Sequence, residues 1–187
     1  MKIRVPVFIV ILLLAVLTVP AFAAPPNYGV LKLGGYLPQA SDVEDFDDAF
    51  YGELGLGHYF TNNWAIEFGV GYTETEASVS DATGSTSVDL MIIPLTLGIR
   101  GSIPVGGFEP FATAGIGAYI TEVDASGSGS EDDTAFGYYL GAGVNFNVSP
   151  NIFLGVEGKY FWAEPSLGGA DVKIDGINLT ANIGYRF

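Results

Sequence analysis

Cysteine is missing from all 187 residues, and with it any disulfide framework or thiolate metal site. Basic residues are scarce as well. Seven Lys and Arg stand against 21 Asp and Glu, a formal charge of -14, which excludes a nucleic-acid partner whose phosphates would demand cationic contacts. Glycine is plentiful at 26 residues but shows no triplet repeat, so a collagen-like fibre is excluded. What the chain does have is apolar material, 49% of its residues with 13% aromatic, and a disordered acidic tail lacks that. Such a chain must either bury an apolar surface or show it to lipid.

The N-terminal stretch "MKIRVPVFIVILLLAVLTVPAFAAPP" carries Lys2 and Arg4, an apolar run from Val5 to Val19, and the small-x-small triplet Ala21-Phe22-Ala23. This order predicts a secretory signal peptide over 1–23, cut after Ala23. The competing reading is a retained membrane anchor, since the run is almost long enough to span a bilayer. Pro20 and the cleavage triplet favour removal. A single exported domain, 24–187, is then expected, with five basic against 21 acidic residues and a net charge of -16.

Beyond that segment no amphipathic helix of useful length is legible, and apolar-polar alternation recurs instead. The terminal "INLTANIGYRF" puts Ile177, Leu179, Ala181, Ile183, Tyr185 and Phe187 on one face, against Asn178, Thr180, Asn182, Gly184 and Arg186 on the other. Eight such strands are predicted, at about 28–37, 49–60, 64–75, 88–100, 110–123, 134–148, 152–163 and 174–187. Phe153 and Phe161 break the pattern of the seventh. These lengths exceed the globular mode and suit a tilted strand crossing a bilayer.

The expected connections are unequal. "TNN", "GSIPVGGFE" and "SPN" follow even strands, whereas "PQASDVEDFDD", "EASVSDATGSTS", "DASGSGSEDD" and "EPSLGGADVK" follow odd ones. In or beside those long links lie 17 of the 21 acidic residues, leaving Glu53, Glu67, Glu109 and Glu157 elsewhere. Tight turns at one end and long polar loops at the other are the asymmetry of an outer-membrane barrel.

A soluble barrel with an apolar interior would alternate equally well, so the polar face has to decide. It holds mostly Gly, Thr, Asn and Tyr, with the charges Lys32, Glu53, Glu67, Arg100, Glu157, Lys159 and Arg186. That near balance suits a closed interior, where unpaired charge is costly. Aromatics on the apolar face gather towards strand ends. Phe60, Trp64, Phe146, Tyr185 and Phe187 are expected near the short turns, and Phe50, Tyr72, Tyr138, Tyr160 and Trp162 near the long loops, as two headgroup-level girdles. The apolar face therefore points outward into lipid. Unpaired backbone in hydrocarbon costs several kcal/mol per group, so the eighth strand must close on the first. The fold expected is all-β, an eight-stranded antiparallel up-and-down transmembrane β-barrel.

"VLKLGGYLP" at the first strand, "PFATAGIGAYI" over Pro110 to Ile120, and the terminal "GYRF" carry a resemblance to the small outer-membrane β-barrel superfamily, the OmpA transmembrane domain, OmpX, OmpW and opacity-type proteins. It covers essentially the whole mature chain. The resemblance implies that Phe187 and Tyr185 form an assembly signal read by the barrel-assembly machinery. It also implies a Gram-negative cell envelope, with outer-membrane lipids and lipopolysaccharide as surroundings. The chain departs from full OmpA proteins in that no peptidoglycan-binding domain follows the barrel.

Catalytic candidates are thin. His58 shares the lipid face with Leu54 and Leu56, beside Gly57 and Tyr59 rather than a serine and an acid, so an interfacial role outweighs lipid-A-modifying catalysis. "DVEDFDD" lacks the central Gly and distal Glu of an EF-hand loop, and reads as solvated loop charge, with weak divalent bridging to lipopolysaccharide as the alternative. "GIG" and "GAG" do not extend to GxGxxG. The expectation is a monomeric, non-enzymatic structural barrel without cofactor or metal, whose interior is plugged and whose acidic loops meet a surface ligand that the sequence does not name. The alternative is a narrow porin-like or OmpW-like channel for small or hydrophobic solutes.

Overall fold

In the last strand the alternation becomes geometry. Asn178, Thr180 and Asn182 are 3%, 7% and 5% exposed, whereas Leu179 and Ile183 between them are 52% and 51% exposed. The polar face is the inside. In the computed structural model, which describes residues 27–41, 48–81, 84–125, 129–167 and 170–187, every long strand repeats this arrangement. The expected signal peptide and much of the acidic stretch after the first strand lie outside the described residues.

The long strands are β1 (Asn27–Pro38), β2 (Ala49–Tyr59), β3 (Trp64–Asp81), β4 (Gly84–Ser102), β5 (Phe108–Ala125), β6 (Gly129–Asn147), β7 (Ile152–Ala163) and β10 (Gly176–Arg186). A two-residue pair, β8 (Ser166–Leu167) and β9 (Ala170–Asp171), interrupts the last link. The eight long strands form one closed antiparallel barrel in which chain neighbours pair, β7 pairs with β10, and β10 returns to β1. Closure is carried to the end of the chain: the Asn27 N–H donates to the Phe187 carbonyl at 3.0 Å, and the Phe187 N–H donates to the Asn27 carbonyl at 2.8 Å. Among the described residues no barrel strand has an open side at bilayer depth, as backbone in hydrocarbon requires.

Two glycines have specific duties here. Gly34 sits where β1 meets β10 so closely that any Cβ would run into the Leu179 carbonyl. Gly106, at φ +61°, makes the turn in which Val105 and Phe108 exchange backbone hydrogen bonds.

Two expected links prove to be strand. β3 continues to Asp81 and β4 starts at Gly84, paired as Asp81↔Gly84; β5 continues to Ala125 and β6 starts at Gly129. Alternation ends earlier than pairing does, because segments standing in water on both faces need no polarity alternation. Neighbouring β4 and β5 stay paired out to Val88↔Ala125, so β3 to β6 rise as one four-stranded sheet beyond the barrel wall. Past the girdle position Tyr72, β3 runs on to Asp81, roughly 30 Å of strand at about 3.4 Å per residue. The last strand is shorter than expected, beginning at Gly176 rather than 174.

Candidate functional site

Inside the barrel, charged side chains find space because their cross-strand neighbours are glycines. Glu53 pairs with Gly71, Glu67 with Gly57 and Gly98, Glu157 with Gly143, and Lys159 with Gly141. Large beside absent side chains is how a narrow eight-stranded bore is filled. The register delivers these groups to a common level, where Lys32 Nζ lies 2.9, 2.7 and 2.8 Å from carboxylate oxygens of Glu53, Glu67 and Glu157. Lys159 Nζ reaches Glu53 Oε2 at 2.7 Å. The Tyr51 hydroxyl donates to Glu53 and the Tyr28 hydroxyl to Glu67, so tyrosines complete the carboxylates' coordination.

Towards the short turns the lattice continues. Arg100 approaches Glu67 at 3.4 Å and Glu109 at 3.7 Å, and Arg186 meets Glu109 Oε2 at 2.8 Å while donating to Asn147 Oδ1. The Tyr59 hydroxyl donates to Glu109 at 2.9 Å. Aromatic faces cover the cations: the Arg100 guanidinium lies 3.5 Å from the centre of the Phe111 ring, and that of Arg186 lies 4.7 Å from Phe153.

All seven sequence-selected interior charges meet in this lattice, and an eighth joins them. Glu109 escapes the polar-face set because it sits between Phe108 and Pro110 beside a turn, where the alternation is hard to phase. Its inclusion changes the balance. Among the described residues the lumen holds four cations, Lys32, Arg100, Lys159 and Arg186, against four carboxylates, Glu53, Glu67, Glu109 and Glu157.

Both ends of the bore are aromatic, which alternation alone does not reveal. Phe153 and Phe161, the apparent pattern-breakers of β7, keep their parity and point inward at 1% and 3% exposure. Phe153 joins Tyr28, Val30, Tyr59 and Ala65 near the short turns. Phe161 stacks between Tyr36 and Tyr119, at centroid distances of 5.8 and 4.9 Å, within a larger apolar cluster at the opposite end.

On the outer wall, Phe60, Trp64, Phe146 and Tyr185 are exposed at the short-turn end, with Phe187 stacked on Tyr185. Phe50 and Tyr138 are exposed at the other end. Tyr72, Tyr160 and Trp162 are half-buried, the last because it packs on Tyr138 and Tyr160 at 4.9 and 4.5 Å. His58 also faces outward, with Nδ1 2.8 Å from Asn27 Oδ1.

An apolar outer wall with girdles, a closed hydrogen-bonded circuit and a charged bore form a membrane barrel, and the comparisons agree. The outer membrane protein beta-barrel domain matches residues 9–187. The chain belongs to that family. Its members' setting is the outer membrane, and this chain shares that location. Among solved structures the fold is similar to a major outer membrane protein from Thermus thermophilus, with a TM-score of 0.60 at 12% identity, covering 88% of this chain and 100% of the other. It is also similar to Neisserial surface protein A, at 0.58 and 17%, covering 87% and 96%. A third likeness is to Ail, the attachment invasion locus protein of Yersinia pestis, at 0.54 and 15%, covering 87% and 99%. No curated protein matches the chain significantly in sequence. At these identities the structural likeness concerns the fold, so function has to be argued from the lumen and the outer surface.

Proposed function

We propose that this barrel is a non-enzymatic structural component of the outer membrane, its bore plugged by paired charge and its acidic outer end turned to surface contacts. The observation that carries the reading is the lattice of four cations and four carboxylates, which fills the bore between two aromatic layers. An ion entering it would have to displace partners already held at 2.7–2.9 Å around Lys32. Breaking a buried pair costs about 3–5 kcal/mol, a steep barrier for a conduit. The surface role draws on the sheet of β3 to β6, a rigid rise beyond the girdle, and on exposed acids around it such as Glu74, Asp89 and Asp132. Recognition usually sits on such projections from a fixed scaffold.

A second reading, a narrow channel, has one observation in its favour. Asn145, Asn178, Thr180 and Asn182 line one side of the bore with buried oxygens that have no hydrogen-bond partner among the described residues, a wall suited to a file of water. Planar-bilayer recordings of the purified protein decide between the two. The plugged barrel gives no reproducible single-channel steps; regular steps would overturn it in favour of transport.

A further inference from the structure

The lattice in the bore leaves the outer end of the molecule nearly without cations. Lys2 and Arg4 lie in the expected signal segment, and Lys32, Arg100, Lys159 and Arg186 are held inside, so Lys173 is the one basic residue left for the long-loop end. The acids of that end must find most of their partners outside the chain. At one place the wall has a shaped pocket for such a partner.

Phe50 on β2 and Tyr72 on β3 face outward at the long-loop girdle, and Gly52, which pairs with Tyr72, has no side chain to keep them apart. The Phe50 ring leans into that space, its Cε1 3.6 Å from where a Cβ on Gly52 would stand. Two residues further along β3, Glu74 is exposed, and the Tyr72 hydroxyl donates to its Oε2 at 2.6 Å, which ties the carboxylate to the ring. Asp89 joins from β4. Together with Thr75 these side chains line a cavity of about 370 Å³. Among the described residues neither Glu74 nor Asp89 has an ion pair. The β3–β4 pairing also skips Gly71↔Pro94 and Tyr72↔Ile93 while the pairs on either side hold, because Pro94 has no N–H to give the Gly71 carbonyl. An acceptor beside Tyr72 thus lacks its ladder donor.

Two carboxylates ask for a cation, and two rings select its kind. Hard divalent ions seek a full shell of oxygens and leave aromatic walls unused. An ammonium group donates N–H bonds to carboxylates and is attracted to ring faces. The girdle position sets its source, since aromatic belts mark the level of lipid headgroups. We propose that Phe50, Tyr72, Glu74 and Asp89 form a receptor for the primary ammonium headgroup of an outer-leaflet lipid. This goes beyond the plugged-barrel reading, because the pocket lies on the lipid side of the wall and does not depend on whether the bore conducts.

Native mass spectrometry of the folded barrel, released from maltoside micelles, counts the lipids that stay bound. Dimyristoylphosphatidylethanolamine is compared with its N-acetylated form, which keeps the chains and phosphate but has lost the ammonium charge. The wild-type barrel should hold one amine lipid about tenfold more tightly than the acetylated one. Glu74→Gln with Asp89→Asn should abolish that preference and Phe50→Leu should lower it about threefold, while Asp132→Asn, an exposed acid outside the pocket, leaves it unchanged. No preference in the wild type would overturn the receptor, and an equal loss from Asp132→Asn would replace it with a diffuse negative field. Displacement of the lipid by an equal concentration of ethylammonium would overturn the lipid source, and displacement by an equal concentration of magnesium would overturn the ammonium. Retained heat-modifiable gel mobility identifies the folded variants, and Phe50→Leu, which keeps every charge, carries the test if the double variant does not fold.

Discussion

Lys32→Met removes the hub of the lumenal lattice and leaves the bore with three cations facing four carboxylates. Each of its three contacts at 2.7–2.9 Å is worth on the order of 6 kcal/mol at an effective dielectric of about 20, before the cost of drying both ions is subtracted. Desolvation takes back most of that, and the net loss when one partner of a buried pair is deleted is about 3–5 kcal/mol. The three carboxylates do not suffer equally. Glu53 retains Lys159 and Glu67 retains Arg100, but Glu157 has no other ion pair among the described residues. Removing its charge as well, in Lys32→Met/Glu157→Gln, restores neutrality and should recover about 1–3 kcal/mol, the usual size of coupling between contacting groups. Reversible urea unfolding in lipid vesicles, followed by tryptophan emission and gel mobility, measures both. A loss below about 1 kcal/mol for the single variant, the level of an exposed pair, would refute the lattice as a buried structural element. So would a double variant no more stable than the single one.

Two further outcomes test orientation and assembly. Leu179→Arg, on the exposed apolar face, should cost about 2–4 kcal/mol if it lies near mid-bilayer, whereas a wild-type unfolding curve would mean that this face does not meet lipid. Deleting Phe187 removes a residue that both closes the chain ends and carries the terminal aromatic, so the yield in outer-membrane fractions should fall; an unchanged yield would end its role as an assembly signal.

The barrel is legible because lipid outside and a crowded bore inside impose opposite demands on successive residues, as in Ile177 to Phe187. Where those demands relax, so does the reading. Segments 76–81 and 84–87 stand beyond the membrane, and their polar residues look like loop although the backbone pairs throughout. Phe153 and Phe161 look like errors because period two says which side a residue faces, not that the bore turns aromatic at its ends. Glu109 is missed for lack of phase next to Pro110, whereas Ile174 keeps the inward parity of Asn178 and Thr180 and lies within the strand expected from 174. The seven other charges stand out because glycine-rich, otherwise neutral strands make an isolated Lys or Glu conspicuous.

Electrical neutrality inside the bore has a consequence for how the molecule experiences a voltage. A potential of 100 mV does about 2.3 kcal/mol of work on one elementary charge carried across the bilayer. Lys32 and the three carboxylates around it are not neutral by themselves, but over the whole lattice four cations and four carboxylates feel pulls that cancel, so the field exerts no net force on the lattice as a unit. Whatever rearranges this interior must do so chemically, by offering the ions better partners, because polarising the envelope would leave it where it is.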